Sequence, residues 1–168
     1  MVSIGTPTPV SAQSRGTGIS IEGAIGTPLR TGGHDESVAL GLRLGERLTL
    51  LGGAERLYWP TERNGPGYTR GGTVSFVSGA LRVSLAPHLR AAPYAIAGLG
   101  RGVSRPNVND VFPTPVRNDA TVVFFGGGVR IAASDHVSII ADVRAGLVGE
   151  SDSVGLVVPA RAGLAWNF

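Results

Sequence analysis

HVSIIADVRAGLV, residues 136–148, decides how this chain is read. Val137, Ile139, Ala141, Val143, Ala145 and Leu147 fall on alternate positions, and Ser138, Asp142 and Arg144 fall between them. Side chains alternate across a β-strand, so this spacing separates an oily face from a charged one. A helix would scatter the same residues around its axis. The fold then turns on which face meets solvent and which meets the rest of the protein.

Seven further runs share the period. They cover Gly18 to Gly26, Ser37 to Leu44, Leu48 to Tyr58, Thr73 to Leu85, Leu89 to Val103, Ala120 to Ala132 and Gly155 to Phe168. The connections after the second, fourth and sixth runs are about three residues long, as at Gly45-Glu46-Arg47. Those after the first, third, fifth and seventh are longer and hold most of the Pro, Asn and Asp. In an up-and-down meander alternate connections share one end of the sheet, so one end is trimmed and the other carries the loops. Eight antiparallel strands close into a barrel just wide enough to be filled by side chains, and closure removes exposed edges.

Within the runs, charge keeps to one face. Glu22, Arg43, Glu55, Arg82, Arg130, Asp142, Arg144 and Arg161 stand among small or polar residues, opposite rows of Ile, Leu, Val and Phe; Arg90 is placed with them, though it shares a face with Tyr94 and Ile96 opposite mostly alanine. A soluble, lipocalin-like barrel would turn the bulky rows inward around an oily ligand. Eight such rows would overfill a narrow barrel, and the sparse polar faces lack the density of charge expected of a water-facing wall. A membrane barrel turns lipid-facing apolar residues outward and polar ones inward. The expected fold is therefore an all-β, eight-stranded antiparallel up-and-down transmembrane β-barrel over residues 18–168. Its lumen would hold a ladder of Arg–carboxylate pairs, since a charge at membrane depth has to be paired or hydrated. Tyr58 and Trp59 at one end, and Trp166 and Phe168 at the other, are placed for the interfacial aromatic girdles, with His88 and His136 beside the lower one.

Composition excludes several classes. No run approaches the roughly 18 apolar residues of a spanning helix, and 26 glycines among 168 residues disfavour long helices. With no cysteine there is no disulfide or thiolate chemistry. The net charge of +3 comes from arginines spread along the chain, without the clustered basic patch of a nucleic-acid binder. Residues 1–17 are expected to be an N-terminal tail. Val10-Ser11-Ala12 before Gln13 has the small-x-small look of an export-signal cleavage region.

The closing stretch RAGLAWNF, residues 161–168, adds a second kind of signal. With the strand pattern, it resembles the eight-stranded outer-membrane barrels of the OmpA and OmpX type. In that class the last strand ends with a polar residue, then Gly two further on, an apolar residue and a terminal aromatic. Arg161, Gly163, Trp166 and Phe168 match in order. The resemblance implies a cell outer membrane location and recognition of this tail by the barrel-assembly machinery. It also implies a monomer in contact with outer-membrane lipid and lipopolysaccharide.

Candidate chemistry is sparse. Lipid A deacylases are similar in carrying His-x-Ser with a later Glu, as His136, Ser138 and Glu150 stand here. Placing the His and the Glu at opposite ends of one strand separates them far beyond the ~3 Å a catalytic triad needs. Ile139 also replaces the family's Asn after the Ser. His34, Asp35 and Glu36 could meet a metal at a loop, without the spacing of a ligand set. Gly98-Leu99-Gly100-Arg101-Gly102 and Gly126-Gly127-Gly128 open no helix, so they are read as room for the wall rather than phosphate loops. No catalytic, cofactor or metal residue is assigned. The expected role is structural or surface-interactive: membrane integrity, adhesion, or lipopolysaccharide contact through Arg30, Arg63, Arg70, Arg105 and Arg117. The alternative is a narrow small-solute or anion channel lined by surplus arginines. A lipid A-modifying enzyme and a soluble ligand binder rank below both.

Overall fold

A computed structural model describes residues 17–29, 32–63, 69–107, 117–150 and 153–168. The proposed cleavage region and Arg30 lie outside these residues. The strands are β1 (Gly18–Pro28), β2 (His34–Leu44), β3 (Leu48–Arg63), β4 (Thr69–Ser84), β5 (Ala91–Pro106), β6 (Asn118–Ala132), β7 (Val137–Glu150), β8 (Ser153–Val157) and β9 (Pro159–Asn167). From β1 to β7 each strand pairs antiparallel with its sequence neighbour, β8 and β9 both pair with β7, and β9 also pairs with β1, closing the cylinder. β8 and β9 are two parts of one eighth stave. Gly146 faces Val157 and Val143 faces Ala160, so the register against β7 is unchanged across the break. The interruption follows from Pro159, which has no N–H to give the ladder. The result is a closed eight-stranded barrel.

Strands run past the ends the sequence suggested, mostly on the loop side. β3 continues to Arg63 and β4 begins at Thr69. The connection between β7 and β8 is correspondingly short, while the trimmed-side connection from β4 to β5 spans residues 85–90. Pairing continues beyond the apolar part of the wall because alternating polar residues such as Thr73 and Arg105 still sustain a ladder. At the trimmed end Gly45 turns the chain at φ 77°, a conformation that disfavours any residue with a Cβ.

The outward rows carry Ile19, Ile21 and Ile25 on β1, Leu40 and Leu42 on β2, Leu99 on β5, Phe125 on β6 and Leu164 on β9, all exposed. Leu42 is 43% exposed, Val143 45% and Trp166 51%, whereas Arg82 is 4% and Arg161 5%. For a protein in water this arrangement would be inside out. It fits one whose outer surface meets hydrocarbon.

Candidate functional site: the barrel interior and its rims

Alternation along each strand turns Glu22, Arg43, Glu55, Arg82, Arg130, Asp142, Arg144 and Arg161 into the lumen. Arg90 is different. It precedes β5, where the chain leaves the ladder and strand parity no longer sets direction, and its side chain is exposed. Its Nε donates to the Ala132 carbonyl at 3.3 Å. It therefore belongs to the trimmed rim and not to the lumen.

Inside, charge is arranged in two groups. At mid-height Arg82 donates through both terminal nitrogens to Glu22, at 2.8 and 2.6 Å, and its guanidinium lies 5.3 Å from the Tyr94 ring centre. Arg161 reaches Glu55 Oε2 at 2.6 Å, Asp142 Oδ1 at 3.2 Å and Asp35 Oδ2 at 3.5 Å. Arg144 donates to both oxygens of Asp142, which also accepts the Tyr94 hydroxyl at 2.8 Å. Bidentate and shared pairs of this kind give buried guanidinium and carboxylate groups most of their hydrogen bonds. The second group, at the trimmed end, centres on Asn167. Its Oδ1 accepts from both Arg43 and Arg130, and its Nδ2 donates to the His136 carbonyl at 3.1 Å.

Glycines make the room for the first group. Gly128 and Gly126 of β6 stand directly opposite Asp142 and Arg144 of β7. A Cβ on Gly128 would lie 2.6 Å from the Asp142 Cβ, and one on Gly126 would lie 2.8 Å from the Arg144 Cα. Each glycine is thus matched to the charged residue it faces.

The loop-side part of the lumen is largely apolar. Leu57, Val74, Phe76, Val122, Phe124, Val148 and Val157 belong to one buried apolar cluster, with Trp59 packed against it. Trp59 accordingly faces inward and is no part of an outer girdle, because it sits one residue from the outward-facing Tyr58. Tyr58 stacks on His34, with ring centres 4.9 Å apart. At the other rim Trp166 stacks on His136 at 6.0 Å, and Phe168 points outward. The cavity left among Glu22, Glu55, Ser78, Phe124, Arg144 and Arg161 is about 30 Å³. At roughly 10–15 Å³ per water centre, that is room for two or three waters.

Several of these residues were not found from sequence. Asp35, fully buried, points inward, while its neighbours His34 and Glu36 share the outer face at 3.7 Å. No metal-binding cluster is formed among the described residues. Arg56 and Arg101 face outward near the loop end, Arg101 lying 3.5 Å from Asp119. Of the triad candidates, Ser138 is buried beside Asn167, and His136 and Glu150 fall at opposite ends of β7. Arg105 and Arg117 are exposed at the loop end, and the side chains of Arg63 and Arg70 lie outside the described residues.

An oily exterior, a paired ionic interior and closure of first strand on last define the class: an eight-stranded transmembrane β-barrel of outer membranes. No protein-family model matches the chain, and no curated protein matches it in sequence. Solved structures do share the fold. The N-terminal barrel domain of Pseudomonas aeruginosa OprF superimposes with a TM-score of 0.62 at 15% identity, over 90% of this chain and 97% of that one. Neisserial surface protein A gives 0.65 at 14% identity, over 90% and 96%. The Yersinia pestis attachment invasion locus protein Ail gives 0.55 at 13%, over 90% and 97%. Each likeness covers 90% of this chain.

Proposed function

We propose that this protein is a small, monomeric, non-enzymatic outer-membrane barrel with a structural and surface-interactive role. Its outer rim would hold neighbouring lipopolysaccharide. The observation that carries this reading is the filled lumen. Ion pairs at mid-height and the apolar cluster toward the loops leave a cavity of about 30 Å³, so the outer wall and rim are the surfaces left for function. Toward that rim Arg101 projects from the wall directly opposite Val77 and Arg56 directly opposite Glu36, two positions beyond Val38 on β2, with Arg105 and Arg117 further out. Guanidinium groups placed over an oily band suit phosphorylated glycolipids, whose acyl chains lie against the wall while their phosphates meet the arginines. The tail residues Arg161, Gly163, Trp166 and Phe168 are retained as the proposed signal to the assembly machinery. Arg161 then serves twice, as signal and as the hub of the lumen.

The test is titration of lipopolysaccharide into the barrel folded in uncharged detergent. Arg56→Gln with Arg101→Gln should weaken binding about tenfold or more, the effect of losing two charge-assisted contacts of about 1 kcal/mol each. Unchanged binding would discard the rim site. Steady single-channel conductance in a planar bilayer would replace the structural reading with the channel.

A further inference from the structure

The trimmed end of the lumen carries a charge imbalance that the rest of the interior does not. Arg43 and Arg130 face it, below the Arg82–Glu22 pair, and the carboxylate beside them is Glu22. Both oxygens of Glu22 are taken by Arg82. Asp142, the next carboxylate up, is already shared by Tyr94, Arg144 and Arg161. Arg43 and Arg130 are left with one neutral acceptor between them, the Asn167 Oδ1. Neither has an ion-pair partner among the described residues, and the buried Nε of Arg130 has no hydrogen-bond partner at all. The amide cannot turn to relieve this, because its Nδ2 is held by the His136 carbonyl and lies 3.5 Å from the Ser138 hydroxyl. Two cations converging on one dipole, with spare N–H groups and the buried hydroxyls of Ser138 and Thr49 facing the same end, make an incomplete coordination shell.

We propose that this end of the barrel binds one small inorganic oxyanion of the phosphate or sulfate class between the guanidinium groups of Arg43 and Arg130. Planar forks match the oxygens of such an ion in pairs, which a halide cannot reproduce. Arg43 and Arg130 are partly exposed, so the ion enters and leaves at the trimmed mouth. The ion pairs and apolar cluster above close the way through. The site opens toward the inner side of the membrane and is not a conduit, and it does not depend on the role of the outer rim.

The experiment is equilibrium dialysis of radiolabelled inorganic phosphate against the full chain folded in uncharged detergent, at fixed ionic strength. Saturable binding near one per barrel is expected, displaced by sulfate. Arg43→Gln with Arg130→Gln should lose about tenfold or more in affinity, while Arg101→Gln on the outer wall should keep it. Absence of saturable binding by the unaltered barrel overturns the site. So does equal binding by the double variant, or displacement by chloride as effective as by sulfate. If the double variant does not give a compact band that shifts on boiling, the two single variants decide, each expected to weaken phosphate binding.

Discussion

Two levels of one narrow lumen handle buried charge in opposite ways. At mid-height Arg161 and Arg144 are met by the carboxyl groups of Glu55, Asp142 and Asp35. A few residues lower, Arg43 and Arg130 share an amide oxygen. The contrast shows that satisfaction inside a barrel is set by local geometry and not by the charge total. It also assigns different work to each level: the upper one braces the wall, and the lower one keeps unspent charge.

Removing an acceptor from the braced level should have the largest effect. Asp142→Ala leaves Arg144, Arg161 and Tyr94 short of a partner and should destabilise the folded barrel by about 3–5 kcal/mol, read as the urea unfolding midpoint in detergent micelles. A loss below about 1 kcal/mol would dissolve the distinction between the levels. Gly128→Val comes next, since its side chain would collide with Asp142 and with the wall behind it; overpacking predicts about 1–3 kcal/mol on the same scale. At the lower level, Arg130→Gln in phosphate-free buffer should cost less than about 1 kcal/mol, or stabilise, because it removes a repulsion and leaves no charge stranded. A cost matching that of Asp142→Ala would show that Arg130 is braced as firmly as Arg161. Arg101→Ala, on the exposed outer wall, should leave the midpoint within about 0.5 kcal/mol.

Period two exposed the faces of β1, β2, β7 and β9, where bulky and small residues alternate cleanly, and with them the barrel. In Thr121-Val122-Val123-Phe124-Phe125 it places Val123 and Phe125 outward, as they are, but Val122 and Phe124 turn inward on the face that elsewhere carries charge. The apolar cluster inside the loop end was hidden for that reason. Partnerships across the lumen were hidden for another. Tyr94 meets Asp142, and Asn167 meets Arg43 and Arg130, only through the stagger that accumulates around the closed sheet, and no single strand encodes it. Asp35 reads as a loop residue from alternation alone because β2 starts three positions before Ser37, at His34. Arg90 is misplaced when parity is applied past a strand end, and Trp59 when parity is neglected, since adjacent aromatics cannot both face an outer girdle.

The proline pair at the join of first and last strands has a kinetic consequence. Pro28 sits opposite Pro159, and the described β1–β9 ladder runs only from Ser20 to that point, whereas β3 and β4 are matched from Leu48 to Arg63. Amide hydrogens along this join should therefore exchange with deuterium soonest, starting at its loop end. Under mechanical or thermal load the cylinder should unzip there first, before any of its hairpins open.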